Sequence, residues 1–148
     1  MSGDNDLIKL YSQRILALAA AIPLTERLPS PQVTARKRSP LCGSTVTVDL
    51  DVADGRIAGF CQDVKACALG QASASVLGRH VLGASRGDIA RARDMLAAML
   101  TAGGPAPDAP FEELEVLLPA RDYRNRHASI LLAWDATLAA FDEALASA

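Results

Sequence analysis

The sequence predicts an α+β fold, a small antiparallel β-sheet of about three strands backed by helices. Three observations predict it. Thr45 to Val52 alternates apolar and polar residues, an Asp54-Gly55 pair follows at once, and helical periodicity dominates everything after Cys67.

An opening helix is expected from Asp6 to Ala21, where Leu7, Ile8, Tyr11, Ile15, Leu16 and Leu18 recur at helical spacing and Asn5 or Asp6 can cap it. Pro23, Pro29 and Pro31 end it, and Gln32 to Arg38 reads as a short edge strand that finishes in a basic cluster. In the run from Thr45 to Val52, the side chains of Val46, Val48, Leu50 and Val52 share one face, while the threonines and aspartates share the other. Asp54-Gly55 tolerates the positive φ angles of a tight turn, so Arg56 to Val64 returns antiparallel.

The stretch Ala68 to Leu77 reads as a helix of small residues that lets another backbone pack closely, with Gly70 lowering its intrinsic stability by about 1 kcal/mol. Ser85 or Asp88 caps the next helix, whose apolar residues are Ile89, Ala92, Met95, Leu96 and Met99 and which stops at Gly103-Gly104. Pro105, Pro107 and Pro110 mark a loop, Phe111 to Leu118 a short acidic helix. The last helix is expected from Ser129 to Ala146, with Ile130, Leu131, Trp134, Leu138, Phe141 and Leu145 on its buried stripe.

A length of 148 residues, half of them hydrophobic, suits a single domain covering 1–148 with one core. The 15 basic and 17 acidic residues leave a formal charge of -2, which disfavours nucleic acid and anionic membranes as partners. The polar N-terminus and the short apolar run Leu16 to Leu24 predict neither export nor a membrane span, and the expected location is cytoplasmic. Three cysteines, an odd number, argue for reduced thiols rather than a disulfide framework.

Those thiols are where chemistry is expected. Cys42 precedes the first hairpin strand and Cys67 follows the second, so the hairpin carries both to the same end of the ladder. Pro40 and Gly43 shape the loop around Cys42, and Cys67 sits where strand gives way to helix, beside free amides that favour thiolate. Cys61 lies inside the returning strand and reads as core. His127 is a third candidate ligand, with His80 a weaker one. Two thiolates and an imidazole suit zinc or an iron-sulfur cluster with mixed ligands, and Ser44, Asp49 and Asp63 are the nearby oxygen candidates for a fourth position.

Pro40-Leu41-Cys42-Gly43-Ser44, Cys67-Ala68-Leu69-Gly70-Gln71-Ala72-Ser73-Ala74-Ser75 and Arg126-His127-Ala128-Ser129-Ile130-Leu131 together resemble the iron-sulfur cluster assembly scaffold family of IscU, SufU and the NifU N-terminal domain. The long stretch between Cys67 and His127 is more similar to SufU. The resemblance implies a transient iron-sulfur cluster, or zinc in its place, held by three cysteines and an aspartate. It implies sulfur arriving as persulfide from a cysteine desulfurase, and apo-protein acceptors for the finished cluster.

The chain departs from that pattern at two ligand positions. Ser44 stands where the family has aspartate, and the third cysteine falls at Ala128 or at Ser129, depending on the register. On this reading Cys42 and Cys67 are the sulfur acceptors, and Cys42, Cys67 and His127, with Ser44 as an oxygen, hold the metal or cluster. The expected role is a scaffold or sulfur-transfer protein rather than a self-contained enzyme, since two histidines and no nucleophile motif offer little acid-base equipment. The alternatives are a zinc-assisted, SufU-like sulfur-transfer protein and a metal-free accessory binding module that keeps the fold.

Overall fold

A computed structural model describes residues 11–40 and 43–147. Helix α1 (Gln13–Ala20) starts at Ser12, whose hydroxyl accepts from the amide of Ile15, so a serine closes the first turn of this helix. The caps expected at Asn5 and Asp6 lie outside the described residues. Ile15 and Leu18 are buried, whereas Leu16 is 50% exposed, because residues one apart on a helix point about 100° away from each other.

Strands β1 (Val33–Arg38), β2 (Thr45–Ala53) and β3 (Arg56–Lys65) form one antiparallel sheet in the order β1-β2-β3. The β2-β3 turn has φ of 54° at Asp54 and 74° at Gly55, the left-handed pair that matches the twist of a two-residue hairpin. The ladder runs from Ala53 opposite Arg56 to Thr45 opposite Lys65, with a bulge between Asp51 and Val52. Val46, Val48 and Leu50 face the core, as the alternation requires.

Asp49 breaks the pattern. It is 1% exposed, and its carboxylate takes a forked pair of bonds from Arg27, a hydroxyl bond from Thr34 and the amide of Leu28. Burial works against its charge, but these donors prevail and hold its pKa below the usual carboxylate range.

Helices α2 (Ala68–His80) and α3 (Arg86–Thr101) follow. The α3 start is a full capping box, Ser85 and Asp88 each bonding the other's backbone amide. Met95, expected in the core, is only half-buried. The acidic segment forms a 3-10 helical stretch from Glu112 to Asp122, with Pro119 inside it.

Helix α4 (Arg124–Ala146) begins five residues before the expected Ser129 and takes His127 into its first turns. It packs against β1, β2, α2 and α3, so burial extends round much of its circumference. Trp134 and Phe141 are enclosed, as are Ser129, Ala133, Ala136, Ala140 and Ala144. That stripe of small residues lets the neighbours approach closely, while Leu145 is left 48% exposed. Among the described residues, no helix is long and apolar enough to cross a membrane.

Candidate functional site

The hairpin register places the chain before β2 and the chain after β3 at one end of the sheet, where Thr45 faces Lys65. The loop entering β2 is drawn tight by two backbone bonds, Gly43 to Ser39 and Ser39 to Ser44. Gly43 takes a φ of 71°, which a residue without Cβ adopts most easily. Cys42, within this loop, lies outside the described residues; its neighbour Ser44 is buried at the site.

Cys67 is the residue at the head of α2, half-buried, with extended backbone angles. Its Sγ stands 3.5 Å from the hydroxyl of Ser129, and that hydroxyl stands 3.3 Å from the hydroxyl of Ser44. Three elements thus meet at one sulfur: the loop before β2, the start of α2 and the early turns of α4. Burial alone pushes the thiol up. The Ser129 hydroxyl, the amides of Gly70 and Leu69, and the positive charge of Arg126 outweigh it and leave the Cys67 pKa below that of an ordinary thiol. The amides face the sulfur without closing a full capping hydrogen bond.

The helices are locked together beside the site. Ser73 donates to the carbonyl of Ile130 and accepts from the indole N–H of Trp134. Gly70 lies against Ser129: a Cβ at position 70 would sit 2.6 Å from the Ser129 hydroxyl and 2.9 Å from its carbonyl oxygen. The glycine that weakens α2 in isolation therefore makes room for Ser129.

His127 does not join this group. Its Nε2–H donates to the carbonyl of Ala120 at 3.0 Å, and the ring lines a separate cavity with Leu100, Thr101, Arg121 and Arg124. Two residues along a helix turn the side chain by about 200°, so 127 and 129 face nearly opposite ways. Of the two positions that the family pattern left open, Ser129 meets Cys67. Ala128 instead lines a groove with Lys37, Arg38 and Pro40.

The other candidates take structural places. Cys61 is 1% exposed and its thiol is pushed up, first by burial and then by the nearby Asp49 carboxylate. Asp49 is committed to Arg27, Asp63 is exposed on β3, and His80 ends α2 with its ring edge-on to Phe111. Among the described residues, no three His, Cys, Asp or Glu side chains cluster as a metal site would require.

Arg126 stands in the sequence only as part of a motif, with no sign of its action on Cys67, and the contact between Gly70 and Ser129 has no local signal. The signal for Ser129 was present as the small-residue stripe 129, 133, 136, 140 and 144, which sets the helix phase once the helix starts at Arg124.

Fold and site together define a small α+β protein that presents an activated thiol at a helix start, at the open end of a β-hairpin. No family model and no curated protein sequence matches the chain. Among solved structures, a nitrogen-fixing NifU-like protein (N-terminal) from Brucella abortus is 42% identical, with 97% of this chain and 99% of that one covered and a TM-score of 0.93. An iron-sulfur cluster assembly scaffold protein described for the SUF system of Fervidobacterium islandicum AW-1 shares the fold at 18% identity, with 90% and 98% of the two chains covered and a TM-score of 0.80. A third, described only as a hypothetical protein, does so at 19% identity, with 91% and 98% covered and a TM-score of 0.76. The chain belongs to the NifU-like N-terminal domain family, the group that includes IscU and SufU.

Proposed function

We propose that this chain serves in iron-sulfur cluster assembly, accepting sulfur on Cys67 and holding the nascent cluster as cargo between Cys67 and Cys42. One observation carries the reading: the Cys67 sulfur is reachable, and its thiolate is favoured by Ser129, two helix-start amides and Arg126. A thiolate in that setting both ligates iron and attacks sulfur. Cys42 is two residues before Ser44, so the chain can carry its thiol to the same place, two residues spanning at most about 7 Å.

In the sulfur-transfer step, the Cys67 thiolate attacks the outer sulfur of a persulfide on a cysteine desulfurase. The new S–S bond forms on Cys67, the donor's S–S bond breaks, and the donor's inner sulfur leaves as thiolate. Arg126 offsets the negative charge of the terminal sulfur now on Cys67. Finished clusters would pass to apo-protein acceptors.

The donor set does not complete a resident zinc site. The two remaining family positions are the neutral hydroxyls of Ser44 and Ser129, and a tetrahedral zinc site is built from thiolates, imidazoles and carboxylates. His127, bonded to Ala120, does not supply the missing ligand in this arrangement.

Anaerobic incubation with iron, sulfide and reductant tests the proposal. A sulfur-to-iron charge-transfer spectrum is expected, and it should be lost in Cys42→Ala and Cys67→Ala; a colourless wild-type protein overturns cluster binding.

The Ser44-Ser129 contact favours a second reading, a metal-free sulfur carrier, because these hydroxyls satisfy each other without a metal. Incubation with a desulfurase and cysteine, without iron, separates the two. A sulfur atom added to Cys67 by mass, in a protein that never takes up iron, selects the carrier.

A further inference from the structure

We propose that the cavity at the start of α4 binds a phosphate group, free or carried on a small molecule, through Arg121, Arg124 and Nδ1 of His127. The cavity is about 330 Å³ and is lined by Leu100, Thr101, Arg121, Arg124 and His127, so among the described residues two guanidinium side chains and no carboxylate border it. Neither arginine has an ion pair among the described residues. Six other arginines, Arg27, Arg56, Arg79, Arg86, Arg91 and Arg93, each sit on a carboxylate.

The helix beneath the cavity points the same way. Helix α4 runs for 23 residues with no side-chain cap and no acidic residue in its first turn, in contrast to α3 with its capping box. Its first amides and the positive end of its dipole therefore lack an anionic partner among the described side chains.

His127 gives the cavity its specificity. The residue is 9% exposed, and its Nε2–H is fixed on the Ala120 carbonyl. Nδ1 has no hydrogen-bond partner among the described residues. It is not sealed away either, since Gln62 Oε1 is the one enclosed side-chain N or O left unpaired among them. With Nε2–H held on Ala120, the tautomer that carries its one proton there leaves Nδ1 to accept a hydrogen bond. An oxyanion that carries its own proton satisfies it: the P–OH of hydrogenphosphate donates to Nδ1 while the charged oxygens face the two guanidinium forks. Thr101 gives its hydroxyl proton to Ala97, and as the last residue of α3 it brings that helix's C-terminal end to the cavity, against which the two guanidinium groups and the start of α4 must act.

The test is a titration of the full chain with inorganic phosphate and, separately, with glycerol 3-phosphate, against chloride at matched ionic strength. The readouts are amide NMR shifts and the melting temperature, which a ligand specific to the folded state must raise. Wild-type protein is expected to show saturable shifts in the amides of 124–127 and a higher Tm. The double variant R121A/R124A should fold with an unchanged ligand-free Tm, because both side chains are exposed and unpaired, and should bind at least about tenfold more weakly. Tighter binding of the ester assigns the site to an organic phosphate, and equal binding assigns it to the free ion. No saturable shift and no rise in Tm with either compound up to ~20 mM overturns the site. So does binding that the double variant retains.

Discussion

At Cys67 the balance between thiol and thiolate is set by three kinds of contact acting against burial: a hydroxyl, two backbone amides and a guanidinium. The hydroxyl belongs to Ser129; when it gives its single proton to the sulfur, Ser44, 3.3 Å away, is the donor in the contact between the two serines. In a Cys42→Ser background, alkylation of Cys67 by iodoacetamide should therefore be half-maximal at a pH below the ~8.5 of an ordinary thiol. Ser129→Ala removes one hydrogen bond to the charged form and should slow alkylation near neutral pH by roughly fivefold, the equivalent of about 1 kcal/mol. An unchanged profile would mean the hydroxyl does not touch the thiolate. The converse substitution, Ser129→Cys, places a third sulfur against Cys67 and should increase the cluster chromophore retained after desalting. Equal retention in wild type and variant would remove position 129 from the ligand set.

Element by element, the constraints that the sequence displays locally are those that the fold obeys. Asp54-Gly55 states its turn in two residues, Ser85 and Asp88 state a cap in four, and β2 announces its core face by alternation. What was not legible depends on distant partners. Asp49, on the face opposite Val48 and Leu50, is buried because Arg27, Thr34 and Leu28 converge on it, and no pattern within β2 records that. The polar run Arg124-Asn125-Arg126-His127 reads as loop, yet it is helical. With 127 inside the helix, its side chain turns to Ala120 while Ser129 turns to Cys67. Gly70 is the converse case, a residue poor for its own helix and required by the next. Gly70→Ala would gain about 1 kcal/mol in helix propensity but meets the Ser129 carbonyl oxygen at 2.9 Å. Net destabilisation by thermal melting is expected, together with a rise in the Cys67 pKa as Ser129 is displaced; a higher Tm would show that α2 and α4 can part freely. Asp49 makes a further prediction. Its folded-state pKa is depressed, so its contribution to stability is complete above the unfolded value of about 4 and is lost as the pH falls through the folded value. Asp49→Ala should cost about 1 kcal/mol near neutral pH by removing the bonds from Arg27, Thr34 and the Leu28 amide, donors that water can then reach. The gap between variant and wild type in denaturant midpoints should narrow in acid, and a gap independent of pH would count against the charge.

Over the whole molecule, a formal charge of -2 conceals an uneven distribution. Arg27, Arg56, Arg79, Arg86, Arg91 and Arg93 are matched by carboxylates. Arg36, Lys37, Arg38, Lys65 and Arg126 have no ion pair among the described residues. The register sets Arg38 and Lys65 on either side of Thr45, at the end of the sheet where Cys67 emerges, and Arg126 acts on that sulfur directly. Unmatched cations around one thiol create a local positive potential even in a protein that is acidic overall, and such a field changes encounter rates with charged reagents. The consequence is measurable without any partner protein. In a Cys42→Ser background, with Cys61 enclosed in the core, an anionic aromatic disulfide should react with Cys67 faster, relative to a neutral dipyridyl disulfide, than it does with a free cysteine derivative. Raising the ionic strength to ~1 M, where the screening length falls to about 3 Å, should abolish that preference. Charge-reversal at Lys65→Glu and Arg38→Glu should reduce it at low salt while the rate with the neutral reagent changes little. A preference that survives high salt, or that ignores both reversals, would assign the selectivity to contacts at the sulfur and not to the field of the surrounding surface.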